Sequence, residues 1–103
     1  MDLDALTKAM YDFVESKGWL DENSPKRQTQ RNLAISLVLE AGEVLEHFQW
    51  SEESERPDEL ADELADVMLY LLQLAAFTNT DLEQAVKAKL DKNYSRDWTS
   101  GAS

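Results

Sequence analysis

The 103-residue chain has no cysteine, three glycines, two prolines and a single histidine. Without cysteine it can build no disulfide framework, no thiolate zinc site and no cysteine nucleophile. With so little Gly and Pro, Leu, Ala, Glu, Asp and Lys outnumber the β-branched residues, a balance that favours helix throughout. Long hydrophobic runs are missing as well. The most apolar stretch, Val67 to Phe77, is too short and too interrupted to span a bilayer. Asp2 and Asp4 stand where a secretory leader would carry positive charge, so a cytoplasmic location is expected. Bases are scarce: 10 against 21 acids give a net charge of −11, which repels nucleic-acid phosphates and argues against DNA or RNA as a partner.

What is present is an ordinary globular balance, 43% hydrophobic and 30% charged. The length fits one domain, expected over residues 1–96 with 97–103 as a fraying tail. A chain this short buries a modest core, so oligomerisation is an expected source of further burial. The acids are concentrated. Between Glu40 and Asp66 stand eleven carboxylates and one base, Arg56. That window is either a solvated acidic surface or a site for divalent cations.

Periodicity predicts four helices. The first covers about Leu3 to Ser16, with Leu3, Leu6, Met10, Phe13 and Val14 at i, i+3, i+4 spacing, and Lys17-Gly18 ends it. Ser24-Pro25 reads as the N-cap and first position of a second helix running to about Gln49, its first turns polar and loose. Its apolar stripe is Leu33, Leu37, Val38, Ala41, Val44, Leu45 and Phe48. Pro57, with Asp58 and Glu59, opens a third helix to about Phe77. That helix is apolar nearly all round and is expected at or near a subunit interface. Thr80-Asp81-Leu82-Glu83 reads as a capping box opening a fourth helix to about Asn93. Signals beyond Tyr94 are weak, although Trp98 is a residue that docks readily. Short connections favour an all-α, four-helix antiparallel bundle-like subunit.

Glu40 and Glu43 are an i, i+3 pair on the second helix, and Glu63 and Asp66 repeat the spacing on the third. Two such pairs on antiparallel neighbours can meet, and four hard oxygen donors suit Mg²⁺ or Mn²⁺. Glu63 borders the apolar side of its helix, where an uncompensated carboxylate is expensive. Glu43 lies further round its helix, and a partner helix on that side would complete the site. Acid runs on helices are more commonly solvated faces, and Glu52, Glu53, Glu55, Asp58 and Glu59 read that way; Glu46 and Asp62 are second choices for a cation. His47, at a helix end among acids, reads as a surface residue. Trp19, Trp50 and Tyr70 are core aromatics by default, yet Trp19 and Trp50 sit beside helix ends where a nucleobase can stack. Lys89, Asn93 and Arg96 fall near a helix C-terminus, where bases are favoured anyway and where phosphates can be met.

The run Glu40-Ala-Gly-Glu43-Val-Leu-Glu46-His-Phe-Gln-Trp50, followed by Glu63-Leu-Ala-Asp66-Val-Met-Leu-Tyr70, resembles the MazG-like nucleotide pyrophosphohydrolases, in particular their short dCTP-pyrophosphatase-like branch. Arg31, Asn32 and Leu33, and the stretch Lys89 to Asn93 with Arg96, resemble it too, so the similarity runs from about Phe13 to Arg96. The resemblance implies an all-α NTP pyrophosphatase fold, a homodimer or homotetramer, and hydrolysis of a (deoxy)nucleoside triphosphate to monophosphate and pyrophosphate. It implies Glu40, Glu43, Glu63 and Asp66 as Mg²⁺ ligands and catalytic groups, with Mn²⁺ as a substitute. It further implies Lys89, Asn93 and Arg96 at phosphates, and Trp19, Asn32, Trp50 and Tyr70 around base and sugar. The preference implied is dCTP-like, in a house-cleaning or pool-adjusting role. Two departures bear on it. The loop from Trp19 to Arg31 is longer than in close relatives, and Met10 stands where some of them carry histidine. Competing readings are a dUTPase-like or phosphoribosyl-ATP pyrophosphohydrolase-like activity, and a non-catalytic helical interaction module.

Overall fold

The structure, a computed structural model, describes residues 1–96. The expected fraying tail at 97–103 and the docking of Trp98 lie outside the described residues. Four α-helices follow in order: α1 (Leu3–Ser16), α2 (Gln30–Glu46), α3 (Pro57–Phe77) and α4 (Leu82–Tyr94), with no strand among the described residues. The all-α class and the number of helices are as the sequence predicts. No helix among the described residues is long and apolar enough to cross a membrane.

Local chemistry sets the helix ends. The Asp2 side chain accepts from the Ala5 amide to start α1. At its far end Gly18, at φ 71°, donates to the Glu15 carbonyl while Trp19 N–H reaches back to Val14, a Schellman turn. That turn places the Trp19 ring against the core. Asn79, at φ 55°, closes α3 in the same way, with Thr80 N–H bonded to the Ala75 carbonyl.

Two helix starts differ from the sequence reading. Helix α2 begins at Gln30, capped by the Thr29 hydroxyl, and not at Ser24-Pro25. Residues 24–29 carry no apolar face to hold a helix down, and the Ser24 hydroxyl instead bonds the Lys26 amide in a local turn. The cap of α4 is Asp81, accepting from Gln84 N–H, so the box spanning Thr80 to Glu83 does not form; the Thr80 hydroxyl pairs with Thr78.

Helix α2 runs antiparallel along α3, and α1 packs more lightly on α3. Met10, Val14 and Leu72 form the central cluster, joined by Trp19, Met68 and Leu82, while Leu33 on α2 is the most completely buried large side chain among the described residues. Past Leu82, α4 has no buried residue and makes no extended packing against the other helices. The radius of gyration is accordingly 16.4 Å, against about 13 Å for a compact chain of this length. The expected stripe of α2 divides. Leu33 is buried and Leu37 and Val44 are half-buried, while Val38, Ala41, Leu45 and Phe48 stand open to solvent beside Ile35 and Leu39, which lie outside that stripe; Val38 is 70% exposed. Gly42, in that outer row, has nothing packed over it.

Candidate functional site

Because α2 and α3 are antiparallel, one turn of each brings its i, i+3 acids to the same level. Glu40 lies on the α3-facing side of α2, and its environment is set by burial first, then by Glu43, Asp66 and Glu63. These influences all push the Glu40 carboxyl above the usual glutamate range. Burial disfavours its charge, Glu43 hydrogen-bonds it, and three neighbouring carboxylates repel it. The other three acids singled out in the sequence are therefore all within electrostatic reach of Glu40. Glu43, which helix geometry turns toward the flank of α2, reaches Glu40 within the same chain. Glu46 and Asp62 are exposed and are not among the groups acting on Glu40.

The acids face one another without collapsing together. Among the described residues no three acidic or histidine side chains draw into a cluster at metal-ligand distances. Mutual repulsion accounts for that spread, since nothing but a shared proton or a cation lets carboxylates close up. Burial carries the test of fit: Glu40 Oε2 is shut off from solvent with no hydrogen-bond partner, and Glu63 Oε2, equally shut off, meets only the His47 ring. Unsatisfied buried carboxylate oxygens are costly. Hard anionic donors from two helices match what Mg²⁺ or Mn²⁺ takes, so the residues fit such an ion.

Asp66 also stands in the wall of a half-open, largely apolar cavity of 450 Å³ between α1, α3 and the loop after α1. Met10, Phe13, Trp19, Leu69, Tyr70 and Gln73 form much of its lining. Trp19 meets Phe13 edge-on at 5.6 Å, and the Lys26 ammonium lies 4.1 Å from the centre of the indole. Gln73 is buried and donates to Gln28 Oε1 at 2.6 Å, and Gln28 in turn donates to the Lys26 carbonyl. The long loop thus folds over the cavity as a wall held by an amide pair. Sequence reasoning did not assign roles to Lys26, Gln28 or Gln73. The available signal was Gln73 itself, a polar interruption in the most apolar helix of the chain.

The remaining sequence candidates sit elsewhere. Tyr70 and Trp19 line the cavity, but Asn32 and Trp50 do not. Asn32 occupies the first turn of α2, where its amide donates to the Arg27 carbonyl. Trp50 is 95% exposed beyond the end of α2, over a shallow hollow with Glu46 and Arg56. Lys89, Asn93 and Arg96 are carried on or just past α4, which does not bring them into the cavity wall.

His47 is a correction. Read from the sequence as a surface residue, its side chain is 1% exposed, with Nδ1 2.7 Å from Ser54 Oγ and Nε2 2.5 Å from Glu63 Oε2. It follows Leu33, Leu37, Glu40 and Val44 in the α3-facing register of α2, and the acidic connection folds back over it.

Residues 35–99 match the MazG-like family. The dCTP pyrophosphatase 1 of Mus musculus is 37% identical over 103 residues, covering 91% of this chain, and that of Homo sapiens is 36% identical over the same span. The chain spans 58% of the length of these mammalian relatives. A pyrophosphatase from Archaeoglobus fulgidus, known from its crystal structure, is 37% identical, superposes with a TM-score of 0.75, and is matched over 87% of this chain and 86% of its own. The paired Glu40/Glu43 and Glu63/Asp66 acids, the helical architecture and these similarities agree: the chain belongs to the MazG-like family.

Proposed function

We propose that this chain is a nucleotide pyrophosphohydrolase that cleaves a (deoxy)nucleoside triphosphate between the α- and β-phosphorus atoms, releasing monophosphate and pyrophosphate. The single observation that carries the reading is the position of Asp66. It belongs both to the group of four facing carboxylates and to the wall of a cavity of 450 Å³ that contains Trp19 and Tyr70. One part of a nucleotide is apolar and flat and the other is polyanionic, and Asp66 stands where two matching environments join. The relatives named dCTP pyrophosphatase 1 support the same reaction class and a dCTP-like preference.

Glu40, Glu43, Glu63 and Asp66 would hold Mg²⁺, with Mn²⁺ as a substitute. A divalent cation there supplies positive charge against the triphosphate and favours departure of pyrophosphate. The chain's own part is to orient a water, with one of the four carboxylates accepting its proton as the oxygen attacks the α-phosphorus. The α–β bridging bond breaks and its electron pair leaves with pyrophosphate. Trp19 and Tyr70 bound the base and exclude water from that end.

A second copy of the chain is part of this reading. Ile35, Val38, Leu39 and Leu45 make a continuous apolar row on the outer face of α2, and α4 exposes Val86, Leu90 and Tyr94. Oligomerisation, as a dimer or tetramer, covers these rows and gives Lys89, Asn93, Arg96, Asn32 and Trp50 a route to a neighbouring site's phosphates and base. A cysteine-free, acidic chain suits the cytoplasm, where nucleotide pools are found, and the role there is house-cleaning or pool adjustment.

The test is incubation of the purified protein with each common dNTP and NTP, with and without Mg²⁺, assaying pyrophosphate and orthophosphate separately. Mg²⁺-dependent pyrophosphate release, greatest with dCTP, is expected. Orthophosphate as the primary product overturns the bond assignment. No product from any nucleotide overturns the hydrolase reading for this panel and favours a helical interaction module.

A further inference from the structure

The contacts of His47 form a directed chain. The Arg56 amide donates to Ser54 Oγ at 3.1 Å, and the same oxygen lies 2.7 Å from His47 Nδ1. A serine hydroxyl has one proton to give. An ionised carboxylate only accepts, so the contact with Glu63 Oε2 places the ring proton on Nε2, and the Ser54 hydroxyl, while accepting from Arg56, donates its own proton to Nδ1. The Nε2 to Oε2 separation is 2.5 Å. The imidazole is 1% exposed and the Glu63 side chain 23% exposed, so solvent competes little for either.

We propose that His47 is a positioning residue for Glu63, held by Ser54 so that Nε2 fixes one Glu63 oxygen and presents the carboxylate to the divalent cation. This rests on the assignment of Glu63 as a metal ligand made above. The arrangement has a structural logic. His47 ends α2, Ser54 and Arg56 lie in the acidic connection, and Glu63 is in the second turn of α3. One ring therefore ties the connection to both helices at the level of the site. Repulsion among four carboxylates would otherwise let Glu63 swing outward, and ordering it beforehand lowers the cost of ion binding. Outer contacts of this kind typically affect metal affinity by about 10- to 100-fold.

The experiment measures Mn²⁺ dissociation constants by titration calorimetry and by loss of the free-ion electron paramagnetic signal, on folded protein without nucleotide. His47→Leu keeps the bulk and removes the donor; it is expected to weaken Mn²⁺ binding about 10- to 100-fold. His47→Gln, which restores a donor, is expected to recover part of that loss. In turnover, His47→Leu should raise the Mn²⁺ concentration needed for half-maximal rate while leaving the rate at saturating metal within a few-fold. Glu63→Gln is the control for the underlying reading. If Glu63→Gln weakens Mn²⁺ binding and a folded His47→Leu does not, the positioning role is overturned. If both bind as the unaltered chain does, the metal-ligand assignment falls, and the positioning role with it. Should His47→Leu not fold, Ser54→Ala replaces it, with a weakening of several-fold expected and unchanged affinity overturning the proposal. Nitrogen chemical shifts of the His47 ring in the unaltered protein give an independent reading, with a proton on Nδ1 and none on Nε2 contradicting it.

Discussion

Replacing Glu40 by glutamine should have opposite effects with and without metal. In the structure one Glu40 oxygen is buried without a partner, and Glu43, Asp66 and Glu63 all repel its charge. Glutamine keeps the shape, can donate to Glu43 and removes the charge. A partly exposed charge pair is worth about 0.2–1 kcal/mol. Relief from three such neighbours should therefore stabilise Glu40→Gln in EDTA at pH 7 by about 1 kcal/mol. For a domain of this size that is roughly 4–8 °C in Tm. The raised folded-state pKa fixes the pH dependence. The cost of an ionised Glu40 is fully present above that value. It is relieved as pH falls through it toward the ordinary glutamate value of about 4.3, where the unaltered chain protonates Glu40 itself. The Tm advantage of the variant should thus shrink steadily as the pH is lowered. With Mn²⁺ at about 100 times its dissociation constant, the unaltered chain should gain about 2.7 kcal/mol and the variant much less, reversing the order of stability. Paired thermal melts at equal protein concentration, in EDTA and in Mn²⁺ over pH 4.5–8, supply all four curves. A variant less stable than the parent in EDTA, or one gaining as much from Mn²⁺, refutes the reasoning.

Three further outcomes are expected. Val38→Glu, on the open row of α2, should dissociate the proposed oligomer, because each apolar side chain buried there would contribute about 1.5–3 kcal/mol; sedimentation should show the mass falling from a multiple of one chain to that of one chain, and a mass that does not change removes this row from any interface. Trp19→Ala should raise KM for the preferred nucleotide roughly 5- to 150-fold, the equivalent of about 1–3 kcal/mol of base stacking, while Mn²⁺ affinity stays put; an equal KM removes Trp19 from the base site. Leu33→Ala, on α2 at a position 1% exposed, should cost about 2–5 kcal/mol in urea unfolding, and a loss under 1 kcal/mol would mean that its side chain is not packed in the core.

The sequence by itself determined the helices, because their signals are local. The stripe of α1 with Gly18 behind it, Pro57 followed by two acids, and the i, i+3 spacing of Glu40/Glu43 and Glu63/Asp66 need no distant partner to be read. The same locality explains the misplaced start of α2. Ser24-Pro25 carries a good helix-start signal, but a start holds only when the following turns have a face to bury, and residues 26–29 have none. Tertiary structure alone decided what each acid and aromatic faces. The antiparallel pairing of α2 with α3 sets Glu63 and Asp66 against Glu40, and no single-helix projection contains that information. The pairing also takes His47 out of solvent, since its burial depends on Ser54 and Glu63, seven and sixteen residues away. Likewise Trp19 and Tyr70 share a cavity while Trp50 stands in solvent, although all three are aromatics near helix ends or apolar faces. Side-chain periodicity reports which way a residue points from its own axis; charge, burial and proton sharing depend on what stands opposite, and only the packed helices supply that.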